Sequence, residues 1–274
     1  MEGVAFLRLF ALPLAFSSLL GAAVAACGSS TPGVRNPEKA SEAEYDLARD
    51  YFYKGQPRLA LDHCKRAVEL NDENAHALYF ASTIHLFFCS GKLELQDPDC
   101  RLPDAERYVR RALEVQPTFR EAKNTLGQIL ILEKRYPEAM SILEPLTKDP
   151  SFESSYLAWG NFGWAEVLAG QVDAGIEALK NSITEPRFCV GHYRLGMAYE
   201  KKGDLAAADA AFTSAVTVDA DACRNLQDAW RERAEVRMKL THLADAKADF
   251  EKCRDISTDT LAGKACVEAL ARLQ

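Results

Sequence analysis

The chain has 274 residues, 33 Lys and Arg against 40 Asp and Glu, and a formal net charge of -7. That length exceeds what one hydrophobic core usually serves, so it requires either two domains or an architecture that grows along one axis. The acidic balance argues against nucleic acid as a partner, and the eight cysteines at 27, 64, 89, 100, 189, 223, 253 and 266 contain no CxxC pair of the kind that builds zinc ribbons.

From the N-terminus, Leu9 to Val24 form an apolar run of about 16 residues, interrupted by Pro13 and Ser17-Ser18, where a bilayer span needs roughly 20. The run ends in Val24-Ala25-Ala26-Cys27, and Gly28-Ser29-Ser30-Thr31-Pro32-Gly33 follows with the composition of a flexible linker. This arrangement resembles the lipobox of bacterial lipoproteins. The resemblance implies that residues 1–26 are a signal peptide, that Cys27 is diacylated on its thiol and acylated on its new amino terminus, and that residues 27–40 are a lipidated tether. Covalent lipid on Cys27 is the only attached group expected, and no cofactor or metal is. Gly28 in place of Asp resembles the sorting pattern of lipoproteins sent to the outer membrane, which implies lipid anchoring on its periplasmic face. Two alternatives are an ordinary secretory peptide cut after Ala26 and a buried helix. Either form of export places the thiols in an oxidising space.

From Ser41 onward a helix-turn-helix unit of about 34 residues recurs. In the clearest copy His192, Leu195, Gly196, Tyr199, Gly203, Ala208, Phe212 and Ala215 occupy unit positions 4, 7, 8, 11, 15, 20, 24 and 27. Leu47, Ala48, Tyr51, Gly55, Ala60, Cys64 and Ala67 repeat the pattern near the start, and Trp230, Ala234, Ala246, Phe250 and Cys253 near the end. This resembles the tetratricopeptide repeat, in which small residues at 8, 20 and 27 let two helices approach and large ones at 4, 7, 11 and 24 fill the space between. Residues 41–260 divide into six units, 41–74, 75–119, 120–155, 156–188, 189–226 and 227–260, and residues 261–274 read as a capping helix. The second unit carries an insertion of about 11 residues, and the fourth lacks the aromatic at position 11. The expected fold is all-α, a right-handed superhelical solenoid whose first helices line a concave wall.

Positions 2, 5, 9 and 12 share one helical face and are expected to face that groove. They include Tyr45, Arg49 and Phe52 in the first repeat, Tyr79 and Leu86 in the second, and Asn124, Gln128 and Ile131 in the third. The fourth contributes Trp164 and Val167, and the fifth Tyr193 and Met197. A clamp of Lys and Asn gripping a peptide C-terminus is not matched at these positions, so an apolar helix or extended segment is the expected ligand.

With Cys27 acylated, seven cysteines remain, an odd number. Cys253 and Cys266 can staple the cap to the last repeat, Cys189 and Cys223 can bridge neighbouring units, and Cys89 and Cys100 can pin the insertion, leaving Cys64 as the candidate buried thiol. His85, Cys89 and Cys100 allow a metal reading, which export disfavours. No phosphate loop, paired-carboxylate motif or nucleophile elbow is present, so a binding protein is expected rather than an enzyme.

A lipobox, a tether of about 13 residues reaching at most about 45 Å and six such repeats in one chain together resemble the type IV pilus pilotins of the PilF/Tgl kind. The resemblance implies a monomeric outer-membrane lipoprotein that binds secretin subunits and promotes their insertion and multimerisation. A general envelope scaffold serving outer-membrane or cell-wall assembly is the alternative.

Overall fold

The computed structural model describes residues 36–89 and 99–273. The leader, Cys27, most of the expected tether and the middle of the insertion lie outside the described residues. Among the described residues there are thirteen α-helices and no strand. They are α1 Pro37–Tyr53, α2 Pro57–Leu70, α3 Ala75–Cys89, α4 Leu102–Val115, α5 Arg120–Leu132, α6 Tyr136–Thr147 and α7 Ser155–Leu168. Then follow α8 Val172–Ser182, α9 Cys189–Lys202, α10 Leu205–Thr217, α11 Gln227–Lys239, α12 Leu243–Ile256 and α13 Leu261–Arg272, with a 3₁₀ turn at Asp221–Cys223 before α11.

The helices form six consecutive pairs and a cap. Each helix packs on the next in sequence, and the first helices α1, α3, α5, α7, α9 and α11 also touch one another in series. The cause is the distribution of small residues. A Cβ on Gly127 would lie 2.5 Å from Leu143, and one on Gly196 would lie 2.6 Å from Phe212. In the fourth repeat the backbones themselves meet, since a Cβ on Gly163 would stand 2.9 Å from the Gly175 carbonyl oxygen. The large residues at position 24, Cys64, Val109, Leu143, Leu179, Phe212 and Phe250, are buried in every repeat.

Within the repeats the turn between paired helices needs a left-handed residue at position 15. Gly55, Gly170 and Gly203 supply it at φ of 73°, 92° and 88°, while Lys134 and Thr241 adopt 62° and 63° despite their side chains.

The first helix starts earlier than its repeat unit. Asn36 accepts a hydrogen bond from the Lys39 backbone N–H and Pro37 occupies the first turn, so residues 37–40, expected as tether, are helical.

Three disulfides staple the stack, Cys89–Cys100, Cys189–Cys223 and Cys253–Cys266, and Cys64 is a buried free thiol. Burial pushes the Cys64 thiol up to about 12, which keeps it protonated and inert. The Cys89–Cys100 bridge occupies both thiols of the metal reading, and His85 stacks on Tyr108 instead.

The C-terminal repeats carry a buried ion-pair network. Asp249, 3% exposed, receives a two-pronged bond from Arg233 (2.8 and 2.6 Å) and a further one from Arg237 (2.8 Å), which also donates to Asp209 (2.8 Å). These contacts tie α10, α11 and α12 together. At the cap, the Gln227 amide donates to the carbonyls of Cys253 (2.5 Å) and Ser257 (2.6 Å) and accepts from the Thr260 hydroxyl (2.5 Å).

Candidate functional site

The first helices form a wall along the described solenoid, and their side chains opposite the core positions are free to meet a ligand. Helical periodicity places positions 2, 5, 6, 9 and 13 on that side. The structure divides the expected residues. Arg49 is exposed, and Tyr45, Phe52, Tyr79, Gln128, Trp164, Tyr193 and Met197 are partly exposed. Leu86, Ile131 and Val167 are buried at 6%, 6% and 0%. Their assignment to the groove is therefore corrected. In the second, third and fourth repeats position 12 leans back into the core, where Leu86 and Ile131 join one apolar cluster and Val167 packs with Ile176, Leu179 and Leu195 in another.

The wall has two chemically different zones. At the N-terminal end aromatic rings pack edge to face between α1 and α3: Tyr45 on Phe80 (5.9 Å), Phe52 on Phe80 (5.5 Å) and Phe52 on Phe87 (5.2 Å). Phe87 remains 51% exposed, so this end offers apolar surface to a partner. Tyr79 continues the band towards Phe119 (4.9 Å). Burial raises Tyr45 above the usual phenol range, partly countered by Arg49. It therefore stays a neutral donor.

In the middle repeats a polar row crosses three first helices. Arg194 on α9 donates from Nη1 to Asn161 Oδ1 on α7 (2.8 Å), and Asn161 Nδ2 donates to Asn124 Oδ1 on α5 (3.0 Å). Asn124 and Asn161 are buried at 9% and 5%. Asn124 stands at position 5, where the sequence reading had placed a wall residue, but Asn161 and Arg194 stand at position 6 and escaped it. Their partners are 37 and 33 residues away, about one repeat, and that interval is the signal that connects them once position 6 is included. Beside this row Trp164, Tyr193 and Met197 supply apolar surface, and two clefts of about 590 and 530 Å³ open at the edge of the wall. Glu42, Tyr45 and His76 contribute to the first, and Leu157, Phe188 and Val190 to the second.

Such a wall can bind another protein through aromatic anchors and a central set of N–H donors. The paired helices, their small-residue contacts and this wall define a tetratricopeptide-repeat solenoid. Profiles described as tetratricopeptide repeat match residues 45–86 and 101–151, and a further one matches residues 191–221. Among solved structures the chain is similar to PilW, described as a widely conserved type IV pilus biogenesis factor. The TM-score is 0.65 at 21% identity, covering 83% of this chain and 98% of that one. It is similar also to pilF of Pseudomonas aeruginosa, with a TM-score of 0.60 at 14% identity, covering 85% of this chain and 99% of that one. The Cut9–Hcn1 structure from the APC/C matches with a TM-score of 0.68 at 14% identity, over 87% of this chain and 43% of that one. At these identities the likeness is one of fold. None of the curated proteins compared with the sequence matches it.

Proposed function

We propose that this chain is a lipid-anchored outer-membrane pilotin, a binding protein without catalytic function that holds secretin subunits and promotes their insertion and multimerisation for type IV pilus biogenesis. The observation that carries the reading is extent. The PilW and pilF structures are matched over 98% and 99% of their lengths, so the solenoid here spans as many repeats as theirs. Three disulfides agree with an oxidising compartment, and the aromatic zone suits an apolar segment that must be shielded before it enters a bilayer. No described helix is long and apolar enough to cross a membrane, and the anchor in this proposal is a lipid on Cys27.

Deleting the gene should abolish heat-resistant secretin multimers while secretin monomer persists. Normal multimers in the deletion strain would overturn the pilotin reading. They would favour the general envelope scaffold. Cys27→Ala should release the protein into the soluble periplasmic fraction, and unchanged membrane fractionation would refute the lipid anchor.

A further inference from the structure

Resting on the reading of the first-helix wall as a protein-binding surface, we propose that Asn124, Asn161 and Arg194 form a subsite for one acidic side chain within an otherwise apolar partner segment. Arg194 takes the carboxylate, and the two amides take main-chain carbonyl oxygens beside it.

The polarity of the row leads to this ligand. A guanidinium can only donate, so Asn161 must turn its Oδ1 towards Arg194, which turns its Nδ2 towards Asn124 and makes Asn124 accept. Each amide oxygen thus already accepts one hydrogen bond inside the row. The capacity that remains on the three side chains is mainly N–H donors, and a ligand that satisfies them must bring acceptors.

The charge balance adds a negative group to that requirement. Arg233 and Arg237 share Asp249, and Arg110 and Arg135 share Glu106 and Glu138. Arg194, among the described residues, has no carboxylate partner, and its one hydrogen bond is to a neutral amide. It lies deep on the wall, where burial pushes it down to about 10, so it remains a cation at neutral pH with its desolvation uncompensated by the chain itself. The free edge of its fork matches a carboxylate in two-pronged geometry.

The surroundings fix where the acid sits. Towards the N-terminus the wall is aromatic and holds no second unpaired cation of this kind among the described residues. Towards α11 the cation Arg231 is already paired with Asp228 and Glu232, and the net charge of that group is negative, which disfavours an acid placed one repeat further on. The wall continues in both directions past Arg194, so the bound chain passes through and the carboxylate comes from Asp or Glu inside the segment, not from a chain end.

The test is a panel of random peptides of about 12 residues, N-acetylated and attached to a support through their C-termini so that no terminal carboxylate is present, probed with the purified full chain. Bound peptides should be enriched in Asp or Glu at one register among aromatic and aliphatic residues. Arg194→Met should erase that enrichment and weaken the acidic binders by about tenfold or more while its helical content is retained, Arg194→Lys should keep part of it, and Arg194→Glu should shift selection to Lys and Arg. Binders without acidic enrichment, or enrichment unchanged in Arg194→Met, would overturn the subsite and leave the wall as a binding surface. Peptides that bind only when released with free C-termini would overturn the assignment to an internal acid. A wild-type chain that captures no peptide would refute the subsite and the binding wall together. The panel contains no secretin, so its result is independent of the secretin assay.

Discussion

The C-terminal end of a solenoid has no following repeat to cover it, and here a covalent staple takes that place. Cys253 and Cys266 are both 0% exposed in a cluster with Ala234, Phe250, Ala262 and Leu270, and their bridge closes a loop of 13 residues. In the chain-entropy account such a loop contributes about 3 kcal/mol. Replacing both cysteines with Ala removes that constraint while leaving the Gln227 network and the apolar contacts of α13 in place. Because each repeat contacts only its neighbours, the loss should be confined to the last repeat and the cap. Native-state hydrogen exchange should therefore find protection in α13 lowered by about 100-fold, with α1 to α4 unchanged. Wild-type protein held in reductant should lose the same protection in α13, together with local losses around Cys89–Cys100 and Cys189–Cys223, which open as well. Unchanged protection in α13 would refute the staple, and an equal loss in every helix would refute the near-neighbour account of the solenoid.

Other perturbations test the packing and electrostatics. Asp249→Ala leaves Arg233 and Arg237 facing each other without their shared carboxylate and should cost about 3–5 kcal/mol in denaturant titration; a loss below about 1 kcal/mol would contradict the role given to this network. Thr241→Gly relieves a β-branched residue at φ 63° and should stabilise by about 0.5–1 kcal/mol, where a destabilisation would count against the turn argument. Glu166 is buried with Oε2 unpartnered, and burial, reinforced by the charge of Glu144, raises its pKa. A carboxyl raised in the folded state contributes stability below its ordinary value and loses it as pH rises through the raised one. Glu166→Gln should therefore melt higher than wild type at about pH 8, with the gap closing at about pH 4; a gap that widens on acidification would contradict the sign.

The repeat architecture was legible in the sequence because it rests on side-chain size at fixed intervals. Gly127, Gly163 and Gly196 mark close approaches at position 8, and an added Cβ at each would collide with the partner helix. The wall was legible only in part. A helical face read as positions 2, 5, 9 and 12 reaches too far round the helix, because position 12 lies only about 40° from the close-packed position 8, and there Leu86, Ile131 and Val167 are buried. The same face omits position 6, and so omitted Asn161 and Arg194. Their link to Asn124 joins three different helices and combines positions 5 and 6, so no single-repeat template displays it. The early start of α1 was missed for a simpler reason: Asn36-Pro37 lies outside the repeat unit, and only its capping bond reveals it.

The most direct test of the account is calorimetric titration of the purified lipid-free chain with a purified secretin subunit. Saturable binding is predicted, weakened by at least about tenfold when Tyr79 and Trp164 are both changed to Ala and the helical content is unchanged. Absence of binding, or full affinity in that double variant, would contradict the claim that the first-helix wall receives the secretin.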